Sequence, residues 1–322
     1  MSVRNVLHSL ALSLLGVVLA LAVGEIFIRF STSDQRNYVI EMWRYANLLK
    51  RESDNPVIGH EHRPNTSAML QGVEIKINSL GMRGEEPLPK EQVKHRIAIV
   101  GDSIALGWGV DESDTLSAQL KEKLGSDYEV INAGIGNMNM AQIVARWQKI
   151  NEQIEVKTVI LLVTPRAAEI QKKPSQSWLL RHSQLCALTS TFIQQINLGV
   201  SGKASLVDSY KILWTEGKSK ETMLSAFASL ADLQSKKHFR VMAIVIPETN
   251  DMNNYAFGFI GDALADIAEK YRWSFFDSVT LFQGKQSSYW RVSDNDMHLN
   301  GLAFSAIAEY VAPKIKDDGA EK

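Results

Sequence analysis

The chain has 322 residues, 45% of them hydrophobic and 22% charged, enough apolar material for one large core with length left over. Its formal net charge is −1, so no broad basic field exists to hold nucleic acid by its phosphates. The single cysteine, Cys186, excludes an intrachain disulfide framework and leaves the compartment open.

From Asn5 to Gly24 there is no Asp, Glu, Lys or Arg, a run of twenty residues that matches about one bilayer crossing. Residues 1–30 therefore read as a transmembrane anchor. A cleaved signal peptide is the alternative, because Ala20-Leu-Ala22 has small-x-small spacing, but the apolar stretch is longer than an ordinary signal core. No cysteine follows at once, which excludes a lipoprotein. Arg4 lies on one side, with Arg29 and Arg36 on the other, so flanking charge hardly orients the segment.

Residues 31–94 read as a polar stem packing on the domain formed by residues 95–316, with turn signals at Asn55-Pro56, Pro64-Asn65 and Gly81 to Gly84. Within the stem, Gly72 to Asn78 alternates apolar and polar residues as a half-exposed strand does. His60-Glu-His62 could suggest a metal, but two histidines without further ligands fit a surface strand or loop. No metal or other cofactor is expected.

Beyond Arg96 the pattern alternates. Strands are expected at Arg96–Val100, Tyr128–Asn132, Thr158–Val163, Arg240–Ile246 and Ser274–Asp277. Helices are expected at Leu116–Leu124, Met140–Gln153, Lys220–Lys236, Ile260–Tyr271 and Gly301–Val311. This alternation over residues 95–316 predicts a flavodoxin-like, three-layer α/β sandwich around a five-stranded parallel sheet, with its site at the topological switch point. The segment 172–218 is too long for an ordinary connection and reads as a helical insertion beside the active-site edge, either a lid or a cover for the sheet.

Chemistry concentrates at two places. In the run from Arg96 to Gly109 a short β-branched strand stops at Gly101 and puts Ser103 where a helix begins. A serine there stands at the carboxyl end of a parallel strand, where open α/β sheets bind ligands. Near the other end of the chain, Asp294-Asn-Asp-Met-His-Leu-Asn300 offers His298 with carboxylates two and four residues before it. A serine hydroxyl needs a neighbouring base, and the base needs a carboxylate to fix its tautomer, so Ser103, His298 and either Asp296 or Asp294 supply the parts for acyl transfer. A metal site on Asp294, Asp296 and His298 lacks a supporting cluster.

These residues resemble the SGNH, or GDSL, family of esterases and acylhydrolases. Gly101-Asp102-Ser103 matches the core of its first block, and His298 falls where the family's C-terminal histidine falls. Asn78-Ser-Leu-Gly-Met-Arg-Gly84 is similar to a stretch found in exported members with a single N-terminal membrane segment, and Asn55 to Gly59 and Asn132-Ala-Gly134 also look like theirs. The resemblance spans roughly 55–165 and 290–312.

The resemblance implies Ser103 as nucleophile and His298 as base. The form Asp296-Met-His-Leu-Asn300 favours Asp296 as the carboxylate, since Asn295 occupies the usual family position; Asp294 is second. It implies an oxyanion hole from the backbone N–H groups of Ser103 and Asn137. The family's third donor, an asparagine side chain after the third strand, is replaced by Pro165 or Arg166. The side chain of Asn137 or Asn139, and after them Arg166, is the candidate substitute; without one the hole has its backbone donors alone.

The implied function is a membrane-anchored serine esterase that removes acyl groups, plausibly acetyl, from a cell-envelope or exported polysaccharide, with the catalytic domain extracytoplasmic. An O-acyltransferase using the same pair, or a non-catalytic carbohydrate-binding or scaffold protein on the same fold, are the alternatives. The expected partners are an acylated carbohydrate or other small ester and the membrane, with no nucleic acid.

Overall fold

The computed structural model describes residues 3–170, 177–200, 206–249 and 251–320, and the chain divides into two compact units, 1–47 with 174–203 and 48–173 with 204–322.

The first unit is built on α1 (Val3–Ser31), a 29-residue helix with no buried residue. At 1.5 Å per residue it is about 43 Å long, more than the ~30 Å hydrocarbon thickness of a bilayer. It is thus long and apolar enough to cross a membrane. Asn37 then caps α2 (Tyr38–Leu48) through its side-chain oxygen, which accepts from Ile40 N at 3.1 Å. Two later helices, α6 (Trp178–His182) and α7 (Gln184–Val200), belong to the same unit.

Glu25 of α1 caps α7: its carboxylate accepts from Ser183 Oγ at 2.8 Å, Gln184 N at 3.0 Å and Leu185 N at 2.9 Å. Arg29 donates to Glu25 at 2.7 Å and to the His182 carbonyl at 3.0 Å. At Gly24 the side chain of Leu185 lies against α1, 3.4 Å from where a Cβ would stand.

Residues 38–48, within the expected stem, form a helix started by the Asn37 cap, with Ile40 buried and Val39 and Trp43 half-buried. The 172–218 segment is not one insertion: α6 and α7 group with α1, while α8 (Leu206–Thr215) belongs to the second unit. The α7 segment carries no charged side chain, and the Glu25 cap ties its start to α1. Residues 172–176 and 201–205 of that segment lie outside the described residues.

The second unit opens with two antiparallel pairs, β1 (Lys50–Glu52) with β2 (His60–His62), and β3 (Thr66–Leu70) with β4 (Val73–Ile77). The expected alternation at 72–78 appears as β4, with Ile75 and Ile77 buried and Glu74 and Lys76 exposed. Five parallel strands follow: β5 (His95–Val100), β6 (Tyr128–Asn132), β7 (Thr158–Val163), β8 (Arg240–Val245) and β9 (Ser274–Asp277), in the spatial order β6-β5-β7-β8-β9. That is the flavodoxin-like order, whose switch point lies where β5 separates β6 from β7.

Between the strands run α3 (Ser103–Leu106), α4 (Leu116–Leu124), α5 (Met140–Asn151), α9 (Gly217–Lys237) and α10 (Gly258–Tyr271). Past β9 come α11 (Val279–Phe282), the hairpin β10 (Arg291–Ser293) and β11 (Asp296–Leu299), and α12 (Gly301–Ala320). Helix α4 packs with α12, and α5 with α9, giving helical layers around the sheet. All six residues of β7 are buried, as the central strand of a sheet covered on both faces must be. Burying each such Val, Leu or Ile contributes about 1.5–3 kcal/mol.

Candidate active site

The site is assembled at the carboxyl ends of β5 and β6. Strand β5 ends at Val100, and Asp102 caps the four-residue α3: its Oδ1 accepts from Ile104 N at 3.0 Å and its Oδ2 from Thr164 Oγ1 at 2.7 Å. The turn is tight because residue 101 is glycine; a Cβ there would stand 2.9 Å from Ala105 Cβ and 3.2 Å from Leu162. Ser103 is thereby presented at the first helical position, 8% exposed.

His298 reaches it from β11. The separation between His298 Nε2 and Ser103 Oγ is 2.8 Å, and between His298 Nδ1 and Asp296 Oδ1 it is 2.5 Å. A carboxylate can only accept, so Nδ1 carries the proton and Nε2 is left to accept from the Ser103 hydroxyl. Asp296 Oδ1 also accepts from the His298 backbone N–H at 3.0 Å, and its Oδ2 accepts from Gln71 Nε2 at 2.7 Å and from the Trp108 indole N–H at 3.1 Å. Burial pushes the Asp296 carboxyl up, but the hydrogen bond and charge of His298, its backbone N–H and Gln71 outweigh it and hold the group below the usual aspartate range.

Ser103, His298 and Asp296 thus come together. Asp294 does not join them: it is exposed, in the two-residue turn with Asn295 that links β10 to β11, and in a strand pairing Ser293 with Asp296 the buried position falls to Asp296.

The loop that carries Asn137 follows β6. Among the described residues, neither the Ser103 nor the Asn137 backbone N–H has a hydrogen-bond acceptor. Asn137 sits in the left-handed region at φ 62°, a conformation asparagine tolerates better than most residues. Of the side chains expected as a third donor, Asn139 is engaged at both its oxygen and its nitrogen, while Arg166 is tied to Asn137 and Glu169. Asn139 caps α5, accepting from Gln142 N at 3.0 Å, and donates to the Glu169 carbonyl at 2.7 Å. Asn137 Oδ1 accepts from Arg166 Nη2 at 3.2 Å, and Arg166 also pairs with Glu169 at 3.1 Å. After β7, Thr164 is tied to Asp102 and the Pro165 carbonyl accepts from the Trp214 indole at 2.8 Å. The segment that carries a donor asparagine in the resembling family here braces the nucleophile turn and the loop.

Two further residues lock this geometry. Buried Arg83 donates to the carbonyls of Leu106 at 3.1 Å, Gly107 at 2.6 Å and Val110 at 2.8 Å, while its Nε pairs with Glu112 at 2.7 Å. A cation on carbonyls at the end of α3 is favourable and fixes the turn. That is the physical work of the Asn78–Gly84 stretch. Gly134 lies against α3 so closely that a Cβ would fall 2.0 Å from Leu106 N, and Ile135 N donates to the Gly101 carbonyl at 3.2 Å.

Reasoning from sequence missed Gln71, Trp108 and Lys50. The first two lie far from His298 in the chain and carry no local motif. Lys50, of β1, is buried with its ammonium 2.6 Å from the Gly136 carbonyl. Glu248, after β8, has Oε1 buried without a partner among the described residues; burial raises its carboxyl against the pull of Arg291, His298 and Arg166.

Fold and geometry define a flavodoxin-like α/β protein with a serine–histidine–aspartate relay at its switch point. No family model and no curated protein matches the chain. Among solved structures it is similar to TesA, at 18% identity and TM-score 0.46, covering 69% of this chain and 99% of that one. It is also similar to a carbohydrate acetylesterase family member from Sinorhizobium meliloti, at 12% identity and TM-score 0.43, covering 69% and 97%. A G-D-S-L family protein from Desulfitobacterium hafniense aligns at 12% identity and TM-score 0.41, covering 68% and 98%.

Proposed function

We propose that this protein is a serine ester hydrolase, anchored in a membrane by α1, that removes acyl groups, acetyl among them, from a cell-envelope or exported polysaccharide on the extracytoplasmic side. The observation that carries the reading is the hydrogen-bonded run from Asp296 through His298 to Ser103, beside two backbone N–H groups without acceptors. His298 takes the Ser103 proton as Oγ attacks the ester carbonyl, and the developing oxyanion is met by the Ser103 and Asn137 N–H groups. His298 then protonates the departing alcohol. Water, activated by the same imidazole, releases the acid from the acyl-enzyme and regenerates Ser103. The polysaccharide substrate rests on the resemblance to exported members; the relay itself accepts any ester that fits.

A fluorophosphonate probe tests the chemistry. The wild-type protein labels covalently at neutral pH, and Ser103→Ala abolishes labelling while leaving the circular dichroism spectrum unchanged. A wild-type protein that stays unlabelled between neutral and mildly alkaline pH overturns the esterase reading. Release of acetate from an O-acetylated polysaccharide then tests the substrate.

The membrane part is tested separately. The full-length chain remains in the pellet after a carbonate wash, whereas a chain beginning at Ser31 is extracted. A mature protein whose first residue is Val23 would establish a cleaved signal instead.

A further inference from the structure

The His60-Glu-His62 motif finds its use beside the oxyanion loop. Pairing of β1 with β2 sets Lys50 opposite His62 and Glu52 opposite His60. Lys50 Nζ donates to the Gly136 carbonyl at 2.6 Å and lies 3.3 Å from His60 Nε2, which is itself 3.2 Å from the same carbonyl. His62 is buried, with Nδ1 donating to the Gly81 carbonyl at 2.9 Å, and Arg146 of α5 donates to that carbonyl and to the Ala133 carbonyl. Three cationic side chains, Lys50, Arg146 and Arg166, thus surround the loop that runs from Ala133 to Asn137.

The Gly136 carbonyl belongs to the same peptide unit as the Asn137 N–H. A cation on the oxygen of a peptide draws electron density toward it, which makes the N–H at its other end a stronger donor, and it also fixes the plane of the unit. We propose that Lys50 is a positioning residue for ester hydrolysis, which orients and polarises the 136–137 peptide so that its N–H meets the oxyanion. The inference rests on the proposed esterase reading for its catalytic meaning and on hydrogen-bond geometry for its existence.

Lys50 has an unusual charge state to offer. Burial lowers its pKa to about 7, and the charges of Arg166 and Arg146 push the same way. Burial and Lys50 hold His60 down at about 3, against the Gly136 hydrogen bond, and burial with Arg146 keeps His62 well below the histidine range. Of Lys50, His60, His62, Arg146 and Arg166, the two histidines are therefore neutral and the two arginines charged throughout neutral pH, Arg166 in its pair with Glu169. Lys50 alone among them changes charge there. A neutral amine can still donate to the carbonyl, so it is the polarisation, not the hydrogen bond, that fades as pH rises through 7.

Two measurements on the full-length chain in detergent test this. With asparagine labelled by ¹⁵N, the Asn137 amide, assigned by its loss in Asn137→Gln, shifts with a midpoint near pH 7 in wild type. The shift persists in His298→Ala and disappears in Lys50→Met and Lys50→Gln. On a p-nitrophenyl acetate substrate, kcat falls on the alkaline side of neutrality in wild type. In Lys50→Met it is lowered about tenfold, a fraction of the effect of losing a whole oxyanion donor, with KM within twofold and no alkaline fall. A titration that survives in Lys50→Gln, or a folded Lys50→Met with wild-type kcat and pH profile, overturns the proposal. Should the wild type turn over no ester, the esterase reading fails, and the amide titration alone decides whether Lys50 polarises the loop.

Discussion

His298→Ala lowers kcat on a small acetyl ester by about 10⁴-fold or more, the scale on which loss of the general base disables a relay whose members act together. The imidazole is the group within 2.8 Å of Ser103 Oγ, so without it the hydroxyl keeps its proton at neutral pH. The replacement also leaves buried Asp296 with Gln71 and Trp108 as its remaining side-chain donors. KM changes little. The check is a kcat and KM measurement together with a melting curve. A folded variant with kcat within tenfold of wild type would remove His298 from the mechanism.

Asp296→Asn is the second large effect, about 10³- to 10⁴-fold in kcat, whereas Asp294→Asn stays within about twofold. Asp296 is 3% exposed and holds the Nδ1 proton of His298 at 2.5 Å. An amide in its place can turn a donor toward Nδ1, which puts the proton on Nε2 and leaves Ser103 without an acceptor. Asp294 faces solvent in the hairpin turn and has no such influence. If Asp294→Asn proves the more damaging change, the pairing of β10 with β11 is misassigned. The acid dependence has a definite sign as well. Because the Asp296 carboxyl is held below its ordinary range when folded, its stabilisation is present above about pH 4 and is lost as pH falls through the folded value.

The centre of the sheet was legible because a buried parallel strand is a continuous apolar run, as Thr158–Val163 is, whereas the edge strands Tyr128–Asn132 and Ser274–Asp277 show only a short apolar centre between polar residues. Helix α4 was legible for a different reason, since Thr115 caps it and Gly125 ends it. The short pairs β1–β2 and β10–β11 were not, because three- and four-residue strands carry no periodicity and form by tertiary pairing. Helix α12 runs on to Ala320 through Pro313, past the residue where the apolar pattern weakens. At the site, Ser103 and His298 were visible as motif residues, whereas Lys50 looks like any strand lysine until the fold places it under Gly136. The missing donor asparagine was visible as an absence. The engagement of Thr164 with Asp102 and of Pro165 with Trp214 was not, since those contacts join segments far apart in the chain.

The contact at Gly134 has a consequence for how the two halves of the chemistry are related. The backbone of one βα connection touches the backbone of the next with no side chain between them, and Ile135 is hydrogen-bonded to Gly101 across the same seam. The turn that carries Ser103 and the loop that carries Asn137 are therefore held together through main-chain atoms. Neither can drift without dragging the other, and their spacing is set by main-chain atoms that substitution elsewhere does not alter. Such a seam makes the reactive geometry insensitive to variation in the surrounding side chains, while position 134 itself has no freedom to vary. A loop grafted from another protein would have to bring both sides of the seam with it.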